Sequence, residues 1–305
     1  MPDDAKYGDI VPVIQPLMEA LRGLADAAEK LAGTTGIALD GSQAMDELGR
    51  QGEFVGLGAP DPVHSAHANA GMFRFTATDA LRQFAKLFDS QPVPVYSHLA
   101  VARAGLEAAA LGYWAADRGV GVRTRVQRFQ LLRLRNCEEM IRSPMPEYKD
   151  RGRVVKAQIR QRCGALGWEV ICNEKRIEVA GHSLPGSGAL IRSLLSEGSN
   201  ESGPLQRIGS AAWWFQSGVS HALNYALLES VEPTEVTVSA LGSQQAPIFT
   251  SSRAVGLQAI ILGLGFRSMM EEHRLLFGWS DNTWATAVGA FFIQYGRVIG
   301  AEPPP

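Results

Sequence analysis

Residues 99–115 read LAVARAGLEAAALGYWA, and this stretch decides the fold. Between Leu99 and Ala115 the charged side chains are Arg103 and Glu107; the rest is mostly Ala, Leu, Val and Gly, with Tyr113 and Trp114. A helix that is apolar all round is packed on every side, so the segment predicts a central helix. Arg103 and Glu107, four residues apart, share one face beside Leu99, Ala110 and Trp114. Burying a lone charge is costly, so the two are expected to neutralise each other or to meet polar groups from neighbouring helices.

Working outward, helical periodicity continues on both sides. Ile14, Leu17, Leu21, Leu24, Ala28 and Leu31 repeat at helical spacing from Ile10 to Ala32, and Gly33 stops them. A Gly-rich connection from Gly33 to Pro62 follows, long enough to hold a short helix of its own. His64–Phe88 and Val93–Asp117 read as a helical pair broken at Gln91-Pro92-Val93-Pro94. Further helices are expected at Gly121–Arg142, Tyr148–Ala165, Ser187–Leu195, Leu205–Val231, Ser252–Trp279 and Asn282–Ile299. β-Branched alternation between Trp168 and Ala180 suggests a small hairpin or irregular insertion. No βαβ rhythm occurs, which excludes a Rossmann reading. The expectation is an all-α single helical bundle: residues 1–60 supply an N-terminal helix and Gly-rich connection, and 61–300 the bundle core, together one domain.

Composition fits this class. The chain has 305 residues, 46% hydrophobic and 20% charged, with a net charge of -2 that gives no whole-chain footprint for nucleic acid or an anionic membrane. Any basic site must be local. Cys137, Cys163 and Cys172 form neither a C-x-x-C pair nor a disulfide framework. No stretch reaches the length of a membrane span and the N-terminus lacks signal-peptide order, so a soluble, cytoplasmic protein is expected.

A second apolar helix is expected from Ser210 to Leu228. Along it Ser217, His221 and Asn224 fall at i, i+4 and i+7, aligning a hydroxyl, an imidazole and an amide in one polar stripe. A core histidine satisfied by its neighbours is one reading. In the other, His221 faces Arg103 and Glu107 across a cavity, which gathers a proton carrier, an anion clamp and a carboxylate.

Ala102-Arg103-Ala104-Gly105-Leu106-Glu107, the Arg-rich helix after it, Gly167-Trp168 and Ser217-Gly218-Val219-Ser220-His221 together resemble a group of all-helical proteins common in actinobacteria. Their R-x-x-L-E and S-x-x-x-H elements are similar to those of the HEPN-like helical families, over roughly residues 60–235. HEPN proteins are often metal-independent ribonucleases of toxin or defence systems that use an Arg and a His with four to six residues between them. At those offsets before His221 stand Trp214, Phe215 and Gln216. Arg176 with His182 and Arg267 with His273 do carry the spacing, at about the frequency that chance gives. The resemblance implies a ribonuclease candidate that cleaves or binds RNA or nucleotides, with His221 as acid/base, Arg103 and Arg133 on phosphate, Glu107 orienting one of them, and Ser217 and Asn224 touching substrate.

The Arg-rich helix carries a basic stripe of Arg125, Arg128, Arg135 and Arg142, expected to be solvated. Arg133, amid Val122, Val126, Phe129, Cys137 and Met140, is expected to point inward, onto a buried carboxylate or a phosphorylated small molecule. His64 and His67 share a face and are a candidate metal pair lacking a third ligand, so no metal and no cofactor are assigned. Gly181 to Gly188 precedes a helix and offers backbone N–H groups to a phosphate. Late aromatics, Trp213 to Tyr295, admit a terpene synthase-like isoprenoid-diphosphate enzyme as an alternative, but no D-D-x-x-D motif lies in any expected helix. A non-catalytic binding protein is the third reading, and a homodimer stays open.

Overall fold

The computed structural model describes residues 10–33, 38–57, 61–89, 96–173, 176–196, 204–223, 231–233, 237–238, 244–245, 248–250 and 252–299. Among them are ten α-helices: α1 (Ile10–Gly33), α2 (Gln43–Gly49), α3 (Pro62–Lys86), α4 (Ser97–Ala116), α5 (Val122–Arg142), α6 (Pro146–Ala165), α7 (Ser187–Leu195), α8 (Pro204–Ser220), α9 (Ser252–Phe277) and α10 (Asn282–Ile299). The fold is all-α. None of these helices is long and apolar enough to cross a membrane.

Helix α4 is the hub, as its composition requires. It packs against α3, α5, α7, α8 and α9, and Leu99, Ala102, Leu106, Ala109 and Ala116 along it are fully buried. Two glycines let the neighbours come close. A β-carbon on Gly105 would stand 2.8 Å from Leu262 Cδ1 and 3.0 Å from Ala80 Cβ, and one on Gly112 would stand 2.8 Å from Met269 Sδ. Residues of α1, α3, α4, α7, α9 and α10 share one apolar core. A smaller core joins α5 and α6 to Phe54, Trp168 and Val179.

Local chemistry sets the element ends. Ser42 Oγ caps α2 by accepting from Met45 N at 3.2 Å. Helix α6 stops where Gly167 takes φ +70° and Trp168 N donates to Cys163 O at 2.9 Å, the 6→1 bond of a Schellman end. Helix α9 stops in the same way, with Gly278 at φ +76° and Trp279 N bonded to Arg274 O at 2.8 Å. The insertion after α6 is a three-stranded antiparallel sheet, β1 (Val170–Cys172), β2 (Ile177–Val179) and β3 (His182–Ser183). Cys172 pairs with Ile177 in it and Val179 with His182. Between β2 and β3, Ala180 and Gly181 both take positive φ, the geometry of a tight two-residue hairpin.

Two expectations are corrected here. The helix expected over Leu205–Val231 ends at Ser220, and after it come short antiparallel ladders, Val231–Pro233 with Ile248–Thr250 and Thr237–Val238 with Gln244–Gln245. β-Branched Val231, Thr237, Val238, Ile248 and Thr250 favour strand there. The face of α5 is also turned from the expected one. Its buried arc centres on Val126, Gln130, Leu134 and Cys137, so Arg133 lies at the edge of the arc while Arg125 is 1% exposed.

Candidate functional site

A cavity of about 630 Å³ opens between α4, α5, the three-stranded sheet and the start of α7. Its wall carries Glu107 of α4, Arg135, Glu138 and Arg142 of α5, and Arg176 and Glu178 of the sheet. Asn136, Asn173 and Ser187 add neutral hydrogen-bonding groups.

Glu107 is held from two helices. Arg103 Nε donates to its Oε1 at 3.1 Å and Trp213 Nε1, from α8, donates to the same oxygen at 2.9 Å. Its Oε2 has no hydrogen-bond donor among the described residues. Arg103 and Glu107 therefore pair as their spacing predicts, and both remain partly exposed, at 21% and 31% of the side chain. Among the described residues the three cleft arginines are held by local ion pairs: Arg135 and Arg142 share Glu139, and Arg176 meets Glu178. Glu138 accepts from Lys156 and from the Cys172 thiol, which together hold its carboxyl below the usual range, Lys156 foremost. At the mouth, α7 begins after Gly186, whose position provides no side-chain cap. Its first N–H groups are thus unused by capping, at the positive end of the helix dipole. Of the Gly181–Gly188 loop, only the part from Leu184 onward serves this helix start, since Gly181 belongs to the hairpin turn.

The other expected site residues do not gather here. Helices α4 and α8 run antiparallel, with Trp213 opposite Glu107 and Val219 packed with Leu99. Arg103 is then level with the Gln216-Ser217 turn, and His221 lies about 7 Å further along the axis. His221 is exposed, one residue past the end of α8, and among the described residues its ring makes no hydrogen bond or ion pair. The expectation that it is buried on a polar stripe facing Arg103 is corrected: the chain leaves the helix there, and Ala222 takes φ +52°. Ser217 is half-buried, and Asn224 lies outside the described residues. Arg133 meets no carboxylate among the described residues. It donates to Gln130 Oε1 at 3.0 Å and lies over the Phe129 ring. His182 is exposed on β3. His273 is fully buried, its Nδ1 3.0 Å from Met269 O and its Nε2 3.2 Å from Ala70 O.

The buried arginine is Arg125, taken from the expected solvated stripe. Its Nε and Nη2 bind the Glu47 carboxylate at 2.8 and 3.3 Å. Its remaining donors reach Ala115 O at 2.6 Å and Asp117 O at 3.0 Å. His67 joins this network, with Nε2 at 3.2 Å from Glu47 Oε2. That approach is poorly aligned, and neither ring nitrogen has a well-formed hydrogen bond. Burial of Glu47 works against its charged form. The close approach of His67, the Arg125 bonds and the guanidinium charge outweigh it and hold the carboxyl at about 2. Burial, first, and the Arg125 charge push His67 below its ordinary range, against the pull of Glu47. As for His64 and His67 as a metal pair, among the described residues no three His, Cys, Asp or Glu side chains gather closely enough to hold a metal ion.

Sequence reasoning missed Arg125, Glu47 and Arg74. The signal for Arg74 is present, since His64, His67, Gly71 and Arg74 repeat at i, i+3, i+7 and i+10 along one face of α3. Glu47 and Arg125 are 78 positions apart, and no local pattern joins them. In comparisons with known proteins, no family model, no curated protein and no solved structure matches this chain.

Proposed function

We propose that this protein binds a nucleotide, or the nucleotide end of an RNA, in the cleft between α4, α5, the sheet and α7. The observation that carries the reading is the mixed wall, on which Arg135, Arg142 and Arg176 stand among Glu107, Glu138 and Glu178. Guanidinium groups and the uncapped start of α7 suit a phosphate. Carboxylates and the Asn136 and Asn173 amides suit the donor edges of a base and ribose. Among the described residues Arg135 and Arg142 are otherwise engaged in exposed local ion pairs with Glu139, which an entering phosphate displaces at little cost, and Arg176 is itself exposed although its partner Glu178 is buried. The volume, about 630 Å³, lies within the usual range for small-molecule sites.

An isoprenoid-diphosphate site has less support. Carbocations need aromatic faces, and among the residues lining this cleft the aromatic is Phe73 alone. Trp284, Phe266 and Phe291 are core side chains instead. For RNA cleavage, which the HEPN-like resemblance implies, Glu107 is the fixed acid/base candidate on the cleft wall, with one carboxylate oxygen left for a substrate.

The test is isothermal titration of the whole chain with AMP and ADP in EDTA. Binding is expected in the wild type and weaker by at least about tenfold in Arg142→Met/Arg176→Met. Equal affinity in that variant, or no binding heat at all, sinks the reading. Incubation with short RNA in EDTA separates binding from cleavage, since cleavage of the expected kind leaves 2′,3′-cyclic phosphate ends.

A further inference from the structure

A second cavity, of about 200 Å³, lies on another side of α3 from the cleft. The stripe His64, His67, Gly71 and Arg74 forms one wall, and Leu48, His273, Phe277 and Trp279 close it from α2 and the end of α9. The Schellman end of α9 fixes Trp279, and the Arg74 guanidinium lies over its ring with Cζ 5.3 Å from the centroid.

Two buried nitrogens of this pocket, Arg74 Nε and His67 Nδ1, have no hydrogen-bond partner. Arg74 Nε is buried with no acceptor. Among the described residues no carboxylate bonds to Arg74, and Glu29, whose charge reaches it, is itself bonded to Arg82. Independently, His67 is 5% exposed and its Nδ1 has no partner, while its Nε2 lies 3.2 Å from Glu47 Oε2. Buried polar groups without partners are rare in folded proteins, and each asks what completes it. A half-buried cation is likewise costly to leave unmatched. Glu47, the carboxylate beside His67, is paired with Arg125, which leaves Arg74 as the cation of this pocket with no carboxylate bonded to it among the described residues.

The anion's character follows from the rest of the wall. A guanidinium matches a planar carboxylate through two parallel bonds. Ala38, Leu48, Phe277 and Trp279 offer apolar surface, which suits a hydrocarbon body and gives a tetrahedral phosphate few donors. We propose that this pocket is a ligand site, separate from the cleft, for a small carboxylate with an apolar body. The carboxylate sits on Arg74 beside His67, and the body lies against Leu48, Phe277 and Trp279. A molecule of benzoate size fits the volume.

Benzoate is therefore the probe, added to the whole chain, with Tm and tryptophan fluorescence as readouts. The wild type is expected to show a saturable fluorescence change and a Tm that rises with benzoate, while the neutral isostere benzyl alcohol gives neither. Arg74→Met is expected to weaken benzoate by at least about tenfold. Gly71→Leu is the blocking variant. A β-carbon there meets nothing within 4 Å, and Leu favours a helix over Gly, so the variant should melt no lower than the wild type while its side chain fills the cavity. Gly71→Leu must lose the benzoate response and keep AMP binding in the cleft. The proposal is overturned if the wild type does not respond, if Gly71→Leu still responds fully, or if benzyl alcohol or inorganic phosphate matches benzoate.

Discussion

Replacing Arg125 by Met removes a cation that is 1% exposed while keeping most of its stem volume. Glu47, 5% exposed, then keeps only Gln43 Nε2, at 3.0 Å, and the poorly aligned His67. The backbone carbonyls of Ala115 and Asp117 lose their side-chain donor as well. Breaking a buried ion pair from one side costs about 3–5 kcal/mol. With unfolding entropy in proportion to 305 residues, about 4 kcal/mol corresponds to a Tm lower by about 6 °C. The sign of the pH dependence gives a sharper check. In the wild type the Glu47 carboxyl is depressed from 4.5 to about 2, so its contribution is present above pH 4.5 and fades as pH falls toward 2. Without Arg125, burial dominates and raises that pKa, so protonation relieves the variant. The deficit should be greatest at pH 7 and shrink toward pH 4.5, as followed by thermal unfolding with far-UV circular dichroism. Glu47→Leu/Arg125→Met should recover at least half of the loss at pH 7. An Arg125→Met protein that melts within about a degree of the wild type, or whose deficit grows in acid, refutes the account of this network.

Three other outcomes are expected. Burial depresses His273 from 6.5 to about 4, so stability present above pH 6.5 is lost as pH falls toward 4, about 3 kcal/mol in full; Tm against pH should slope less steeply in His273→Gln. Gly105→Val should lower Tm by several degrees, because its β-carbon meets Leu262 and Ala80 at 2.8 and 3.0 Å, whereas Gly289→Ala, with nothing within 4 Å, should raise it by a degree or so. Burial pushes the Cys163 and Cys172 thiols up to about 11, so an aromatic disulfide reagent at neutral pH should label them only after unfolding; rapid labelling of the native protein would contradict their placement.

What was legible in the sequence had local causes. The scarcity of charge from Leu99 to Ala115 marks the central helix, and four-residue spacing joins Arg103 to Glu107. Gly167 marks the end of α6, and the β-branched stretch after Trp168 marks the sheet. The errors concern partners distant in the chain. Helix α5 carries arginines around much of its circumference, so its apolar periodicity does not say which one is inside; Glu47, on a short helix before it, decides for Arg125. His221 falls outside α8 because the break comes at Ala222, an uncommon residue for a positive φ, with no Gly or Pro directly after Ser220 to mark it. The cleft is only half visible in the sequence, because Arg176 and Glu178 reach it through sheet pairing and Glu107 takes its second donor, Trp213, through helix packing.

The packing of α1 against α10 has a consequence for the order of assembly. Ribosomes release the first helix well before its partner, and about 250 residues lie between the two. Through that interval the Leu17, Leu21 and Leu24 edge of α1, fully buried in the finished molecule, lacks part of its final cover. Closure of the bundle is thus a late, long-range event, with the slow kinetics that high contact order brings. During synthesis, the exposed first helix is where a holdase chaperone should be found.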